Sequence, residues 1–205
     1  MFSVAETPTT VLSRPLILAS GSRYRRDLLA RLGLPFEVAS PDVDESRLPG
    51  EPAAALAERL ALAKAKVIAE RHPKALVIGS DQVCAFGEEC LGKPGSPEGQ
   101  KAMLERLSGH TVVYHTAVAV VGLEAGLWQR HRDETRCVFR TLTRVEIEDY
   151  VRREPAADCA GGFKSEGLGI SLFERMESLD PTAIIGLPMI FVAQALRPYA
   201  AASTR

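Results

Sequence analysis

Apolar residues recur along this chain at strand and helix spacings in alternation. The run Leu16 to Leu18 is followed by small hydroxyl residues and then by Leu28, Leu29 and Leu32, which spells strand, tight turn and helix with Ser22 as the N-cap. Phe36 to Ala39 reads as a short strand, and residues 40–52 (SPDVDESRLPGEP) as an acidic, proline-rich loop. Alanine and leucine then dominate from Ala53 to His72, with Leu56, Leu60 and Ala63 on one face and Pro73 as a stop, predicting a long helix that contains Lys64. Ala75 to Asp81 (ALVIGSD) predicts a buried strand with Asp81 at its carboxyl end, and Val83 to Pro94 a hairpin around Gly87. Ser96-Pro97-Glu98 opens a helix that ends near Gly109. Two long strands joined through residues 122–126 follow, the second alternating as LWQRHRDETRCVF. Thr143 and Glu146 form a capping box for a helix closed by Pro155, and a last helix runs from Pro188 to about Leu196.

Strands alternating with helices indicate a single α/β domain, over residues 15–200, and 205 residues suffice for one core. Residues 1–14 have no periodicity and are expected to form a disordered or frayed tail. They lack the basic start and apolar centre of a signal peptide, and no run approaches the ~18 apolar residues of a membrane span. A formal net charge of −1 provides no basic field for stable nucleic-acid or membrane-surface binding. The four cysteines form no CxxC and the four histidines no HExxH, so reduced thiols in a cytoplasmic protein are expected. Other familiar chemistry is excluded as well. GGFKS has Phe163 where a P-loop needs glycine, Gly79-Ser80-Asp81 lacks the second glycine of a nucleophile elbow, and no G-x-G-x-x-G opens a helix.

What remains is a set of cations and carboxylates in turns. Residues 19–26 read ASGSRYRR, so the N–H groups of a helix start lie beside Ser20, Ser22, Arg25 and Arg26, a corner suited to a multi-oxygen anion. The plainer reading of this stretch is a capped surface helix with solvated arginines. Further along stand Glu45, Lys64, Asp81, Lys93 before Pro94, and Lys164 and Glu166 within the glycine-rich CAGGFKSEGLG (Cys159 to Gly169). Each residue is ordinary alone. Together they supply cations for a polyphosphate, a carboxylate to bind metal or accept a proton from water, and a wall whose glycines allow close approach to a base.

The motifs LILASGSRYRR, PDVDE, RLALAKA, VIGSDQV, LGKP and GGFKSEGLGISLFE, in this order, resemble those of the Maf (septum-formation inhibitor) family of nucleotide pyrophosphatases, over roughly Pro15 to Arg197. The resemblance implies a long, twisted mixed sheet flanked by helices, with a central anion-binding cleft, related to the inosine triphosphate pyrophosphatases. It implies hydrolysis between the α- and β-phosphates of a nucleoside triphosphate, a divalent metal (Mg²⁺ or Mn²⁺) and a homodimer. Asp81 would be the proton acceptor and Glu45 the metal ligand, with Ser20, Ser22, Arg25, Arg26, Lys64 and Lys93 on the triphosphate. Ser80-Asp81-Gln82 and FKSEG resemble the branch acting on 7-methyl-GTP, an activity that would clear modified nucleotides. Glu166 and Gln82 would then read the base edge while Tyr24 stacks on the base and Lys164 lies in the cleft. Tyr24 departs from the Trp more often found in that branch, and Arg23 stands where many members have Pro. The alternatives are a pyrophosphatase for dTTP, UTP or another nucleotide, a non-catalytic nucleotide-binding regulator of division, and, for Glu166, a plain ion pair with Lys164.

Overall fold

A computed structural model describes residues 10–202 of the chain. In order these form β1 (Thr10–Leu12), β2 (Leu16–Ala19), α1 (Arg23–Ala30), β3 (Glu37–Val38), α2 (Ala53–Arg71), β4 (Leu76–Phe86) and β5 (Glu89–Leu91). There follow α3 (Pro97–Leu107), β6 (Thr111–Gly122), β7 (Leu127–Phe139), α4 (Arg144–Arg153), β8 (Phe173–Glu177), α5 (Met189–Leu196) and β9 (Ala200–Ala202). The caps sit where the sequence puts them. Ser22 Oγ accepts from the Arg25 N–H, Ser96 caps α3, and Thr143 and Glu146 close a reciprocal capping box on α4.

Among the described residues the main sheet has seven strands in the order β3-β2-β4-β6-β7-β8, with β5 also on β4. β2 is parallel to β3 and β4, and every other pairing is antiparallel, so the sheet is mixed. Side-chain alternation along β4 divides the core. Val77 faces α2, where Ala65, Ile68 and Ala69 are buried, while Leu76 and Ile78 face α5 through Met189 and Val192. Farther along that second face a separate cluster joins Cys84, Tyr114 and Phe139 to residues of α3 and α4, including Leu104 and Ile147.

The structure departs from the expected elements in three places. β4 does not stop at Asp81 but runs on to Phe86, because β6 pairs with it continuously from Val77 to Ala85. β8 was not foreseen. It is a five-residue edge strand whose Glu174, Arg175 and Glu177 point into water, which hides any apolar pattern. Part of the expected tail is also tied down: β1 pairs with β9, the Ser13 N–H donates to the Tyr199 carbonyl at 2.8 Å, and Leu12 is buried beside Leu196. Residues 1–9 of that tail lie outside the described residues.

The register of β4 opens the cleft. Its parallel neighbour β2 ends with Ala19 opposite Gly79, and on the same edge antiparallel β5 reaches only as far as Leu91 opposite Cys84. From Ser80 to Val83 that edge has no strand beside it, and Asp81 lies in the gap. Asp81 is thus just beyond the carboxyl end of β2 rather than of its own strand, which still places it where open α/β sheets bind ligands.

Candidate active site

Each residue of Gly79-Ser80-Asp81-Gln82 has a distinct structural task. A Cβ at Gly79 would run into the Ala61 carbonyl and the Ala65 nitrogen, so glycine there lets α2 lie directly on the sheet. That approach, aided by buried Ala57, Ala61 and Ala65, brings Lys64 against Asp81 with Nζ to Oδ1 at 2.7 Å. Both groups are inside the protein, at 6% and 7% exposure. Lys64 also meets Glu45 Oε1 at 2.7 Å, so one ammonium bridges a buried carboxylate and a solvent-facing one. Burial raises the Asp81 pKa above the ordinary aspartate value, opposed by Lys64 and then by Arg25.

Ser80 and Gln82 point to the opposite face and hold the turn at residues 183–186. Ser80 Oγ contacts the Ala117 and Gly186 carbonyls at 2.8 and 2.9 Å. The Gln82 amide nitrogen lies 2.9 to 3.0 Å from Thr116 Oγ1 and the Ala183 and Ile184 carbonyls. Its donors are therefore spent within the protein, and only its carbonyl oxygen is left for a ligand. The same Gly186 carbonyl accepts from Arg25 Nε at 2.8 Å, and Arg25 Nη1 reaches Ser20 Oγ at 3.3 Å. Burial lowers the Arg25 pKa, with Asp81 and Glu45 opposing. A guanidinium nonetheless stays charged at neutral pH.

Ser20, Arg25, Glu45, Lys64, Asp81 and Gln82 line one cleft of about 870 Å³, together with Ser22, Tyr24, Lys93, Lys164 and Glu166. Among the described residues Arg23, Arg25 and Lys93 line it without any carboxylate partner. A half-buried arginine held by neutral groups alone is poised for an incoming anion. Arg26 is the exception among the expected phosphate ligands. It does not line the cleft, is exposed, and faces Asp27 at 3.7 Å, because its place on α1 turns it away from the side that carries Arg25. The plain surface reading holds for Arg26. Arg26→Ala should leave affinity for a non-hydrolysable triphosphate within about twofold in a titration, since exposed charges contribute little.

The sequence pattern described as "Maf-like protein" matches residues 15–199. The chain belongs to the Maf family. A relative from Polaromonas sp. strain JS666, named 7-methyl-GTP pyrophosphatase, is 56% identical over 92% of this chain and 86% of its own length. Relatives of the same name from Xanthomonas axonopodis pv. citri and Thiobacillus denitrificans are 55% and 51% identical, over 89% and 91% of this chain and 95% and 93% of theirs.

In this Maf protein the glycine-rich segment forms one wall of the cleft. Gly161 and Gly162 adopt positive φ values of 78° and 75°, and a Cβ at Gly161 would collide with the Tyr114 hydroxyl. Phe163 packs edge-on against Tyr114, Phe139 and Phe173. Gly161 and Gly162 thus fold the loop onto the protein, while Lys164, Ser165 and Glu166 beyond them line the cleft. Lys164 Nζ donates to the Pro155 carbonyl at 2.6 Å, so the ion pair considered for Glu166 is not formed. Glu166 is exposed at the cleft and has no partner among the described residues.

A Mg²⁺ or Mn²⁺ ion fits the donor set. Asp81 and Glu45 offer hard oxygens that already converge on one ammonium, and Mg²⁺ characteristically takes one or two carboxylates and completes its shell with phosphate oxygens and water. Among the described residues no group of three or more His, Cys, Asp or Glu forms an all-protein cage. No described helix is long and apolar enough to cross a membrane.

Several structurally important residues escaped the sequence reading. Asp133 accepts from Ser178 Oγ and the Asp180 N–H, each at 3.0 Å, while Asp180 accepts from the N–H groups of Thr182 and Ile190 at 2.9 and 2.7 Å. Both aspartates are almost wholly buried, and they shape the 183–186 turn that positions Arg25. Asp133 had a legible signal: it occupies an inward position of an alternating strand, where an aspartate requires buried partners.

Proposed function

We propose that this protein hydrolyses 7-methyl-GTP to 7-methyl-GMP and pyrophosphate, with Asp81 as proton acceptor. The observation that carries this reading is the Asp81–Lys64 pair at the bottom of a cleft whose other cations await an anion. A nucleotide-binding protein without turnover gains nothing from a buried carboxylate beside a ligand that carries about four negative charges. Lys64 keeps Asp81 ionised, and burial keeps it basic enough to accept a proton. As the water oxygen bonds to phosphorus and the bridging P–O bond of the α–β anhydride breaks, Asp81 takes the water proton and pyrophosphate leaves. Arg25, Lys93 and the Ser20 and Ser22 hydroxyls hold the phosphates meanwhile. A divalent ion, when bound by Glu45 and Asp81, supplies neutralisation of phosphate charge.

Support for the base comes from the 7-methyl-GTP pyrophosphatases that resemble this chain, and from Glu166, Gln82 and Tyr24. Guanine presents N1–H and N2–H₂ donors, which match the unpartnered Glu166 carboxylate and the free Gln82 carbonyl oxygen. Methylation at N7 makes the ring cationic, which strengthens both the carboxylate bond and stacking on Tyr24. Arg23 already stands over that ring at 5.5 Å, so the base takes its other face. Glu166→Gln should lower kcat/KM for 7-methyl-GTP about tenfold to a hundredfold and change that for UTP and dTTP by less than about twofold. The test of the reading is kcat/KM for 7-methyl-GTP, GTP, UTP and dTTP with Mg²⁺ or Mn²⁺. A parent enzyme that prefers UTP or dTTP overturns the base assignment.

A further inference from the structure

We propose that Glu154 is a positioning residue for recognition of the base, and that it acts by holding the backbone of the loop that presents Glu166. This rests on the reading of Glu166 as the carboxylate that binds the base.

Glu154 follows the last residue of α4. Its Oε1 accepts from the Leu168 N–H at 3.1 Å and its Oε2 from the Gly169 N–H at 2.8 Å. No lysine or arginine pairs with it among the described residues, since the nearby Lys164 donates to the Pro155 carbonyl instead. An anion at the C-terminus of a helix opposes the helix dipole, so this carboxylate is poorly placed for the stability of α4 itself. What compensates it is the pair of loop N–H groups, which are the natural partners of a carboxylate with no cation.

The loop is built around that carboxylate. A Cβ at Gly167 would overlap Glu154 Oε1, and one at Gly169 would strike the Lys164 carbonyl and the Tyr150 hydroxyl. Only glycine at both places lets the chain wrap the carboxylate. Tyr150 Oη accepts from the Lys164 N–H at 3.1 Å, and fully buried Gln100 donates to the Gly162 carbonyl at 2.9 Å. Between these anchors Ser165 and Glu166 have no side-chain bond of their own among the described residues and line the cleft. The position of Glu166 over a base is thus set by bonds on either side of it, and Glu154 supplies those on the C-terminal side. A free glutamate side chain samples many rotamers, and holding its backbone restricts where the carboxylate can go.

Three variants on the full-length enzyme test this: Glu154→Gln, which keeps size but offers one acceptor, Gly167→Ala, which pushes the Glu154 carboxylate aside, and Glu166→Gln. In Glu154→Gln and Gly167→Ala, kcat/KM for 7-methyl-GTP should fall about tenfold, mainly through KM, while values for UTP and dTTP stay within about twofold. In the double variant Glu154→Gln/Glu166→Gln the losses should not add, because both remove the same interaction. Equal losses on all substrates, or losses that add fully, overturn the proposal and leave Glu154 as a stabiliser of the fold. A parent enzyme with no preference for 7-methyl-GTP would instead overturn the assignment of the substrate.

Discussion

Asp81→Asn should lower the rate of pyrophosphate release by at least about 10²-fold while nucleotide binding survives, since general-base catalysis contributes ~10²–10⁴. The amide keeps the size of the carboxylate and can still accept from Lys64 Nζ, but it cannot take a proton. Because burial raises the Asp81 pKa, the acid limb of the parent's pH–rate profile should lie above the ordinary aspartate range. The sign follows from the role: the base works ionised, so activity falls as pH drops through its pKa. That limb should vanish from the residual rate of the variant. Initial rates from about pH 4 to 8, with binding of a non-hydrolysable triphosphate measured in parallel, check both points. Near-normal turnover in Asp81→Asn would falsify the assignment and favour a protein that only binds nucleotides.

The second large effect belongs to Arg25. Arg25→Ala should raise KM for any nucleoside triphosphate about tenfold to 10²-fold, because removing a half-buried guanidinium loses charge-assisted phosphate bonds of ~1.5–3 kcal/mol. Arg25→Lys should recover little. Nε is committed to the Gly186 carbonyl and Nη1 to Ser20, a two-point anchorage that a single ammonium cannot reproduce while also reaching a phosphate. Steady-state kinetics on two nucleotides with different bases distinguish this from a base-reading role, since a phosphate ligand affects both alike. The contrast with Arg26→Ala, one residue away and solvent-facing, separates the cleft from the general charge of α1.

Much of this site was legible because its parts lie in local patterns. Ser22 was identifiable as a cap, Gly87 as a hairpin turn, and the Thr143–Glu146 box as a helix start, all from chemistry within four residues. The grouping of Ser20, Arg25, Glu45, Lys64, Asp81 and Lys93 around one ligand was implied by the resemblance of the ordered motifs to the Maf family. What was not legible depends on distant partners. Lys64 looks like a solvated helix lysine until Gly79 lets α2 touch the sheet, and only pairing with β6 carries β4 past Asp81. Arg25 and Arg26 are indistinguishable in sequence. Their fates diverge through the Gly186 carbonyl, held by a turn whose supports, Ser80 and Asp180, come from two other parts of the chain. The glycines of the Cys159–Gly169 segment suggested room for a base, yet they make room for Tyr114 and Glu154. A glycine signals close approach without naming what approaches.

The most direct measurement is the identity of the products formed from 7-methyl-GTP by the purified enzyme with Mg²⁺, separated by anion-exchange chromatography. Cleavage of the α–β anhydride predicts 7-methyl-GMP and pyrophosphate in equal amounts, both formed at least about 10²-fold more slowly with Asp81→Asn. Formation of 7-methyl-GDP and inorganic phosphate, or recovery of intact 7-methyl-GTP, would contradict it.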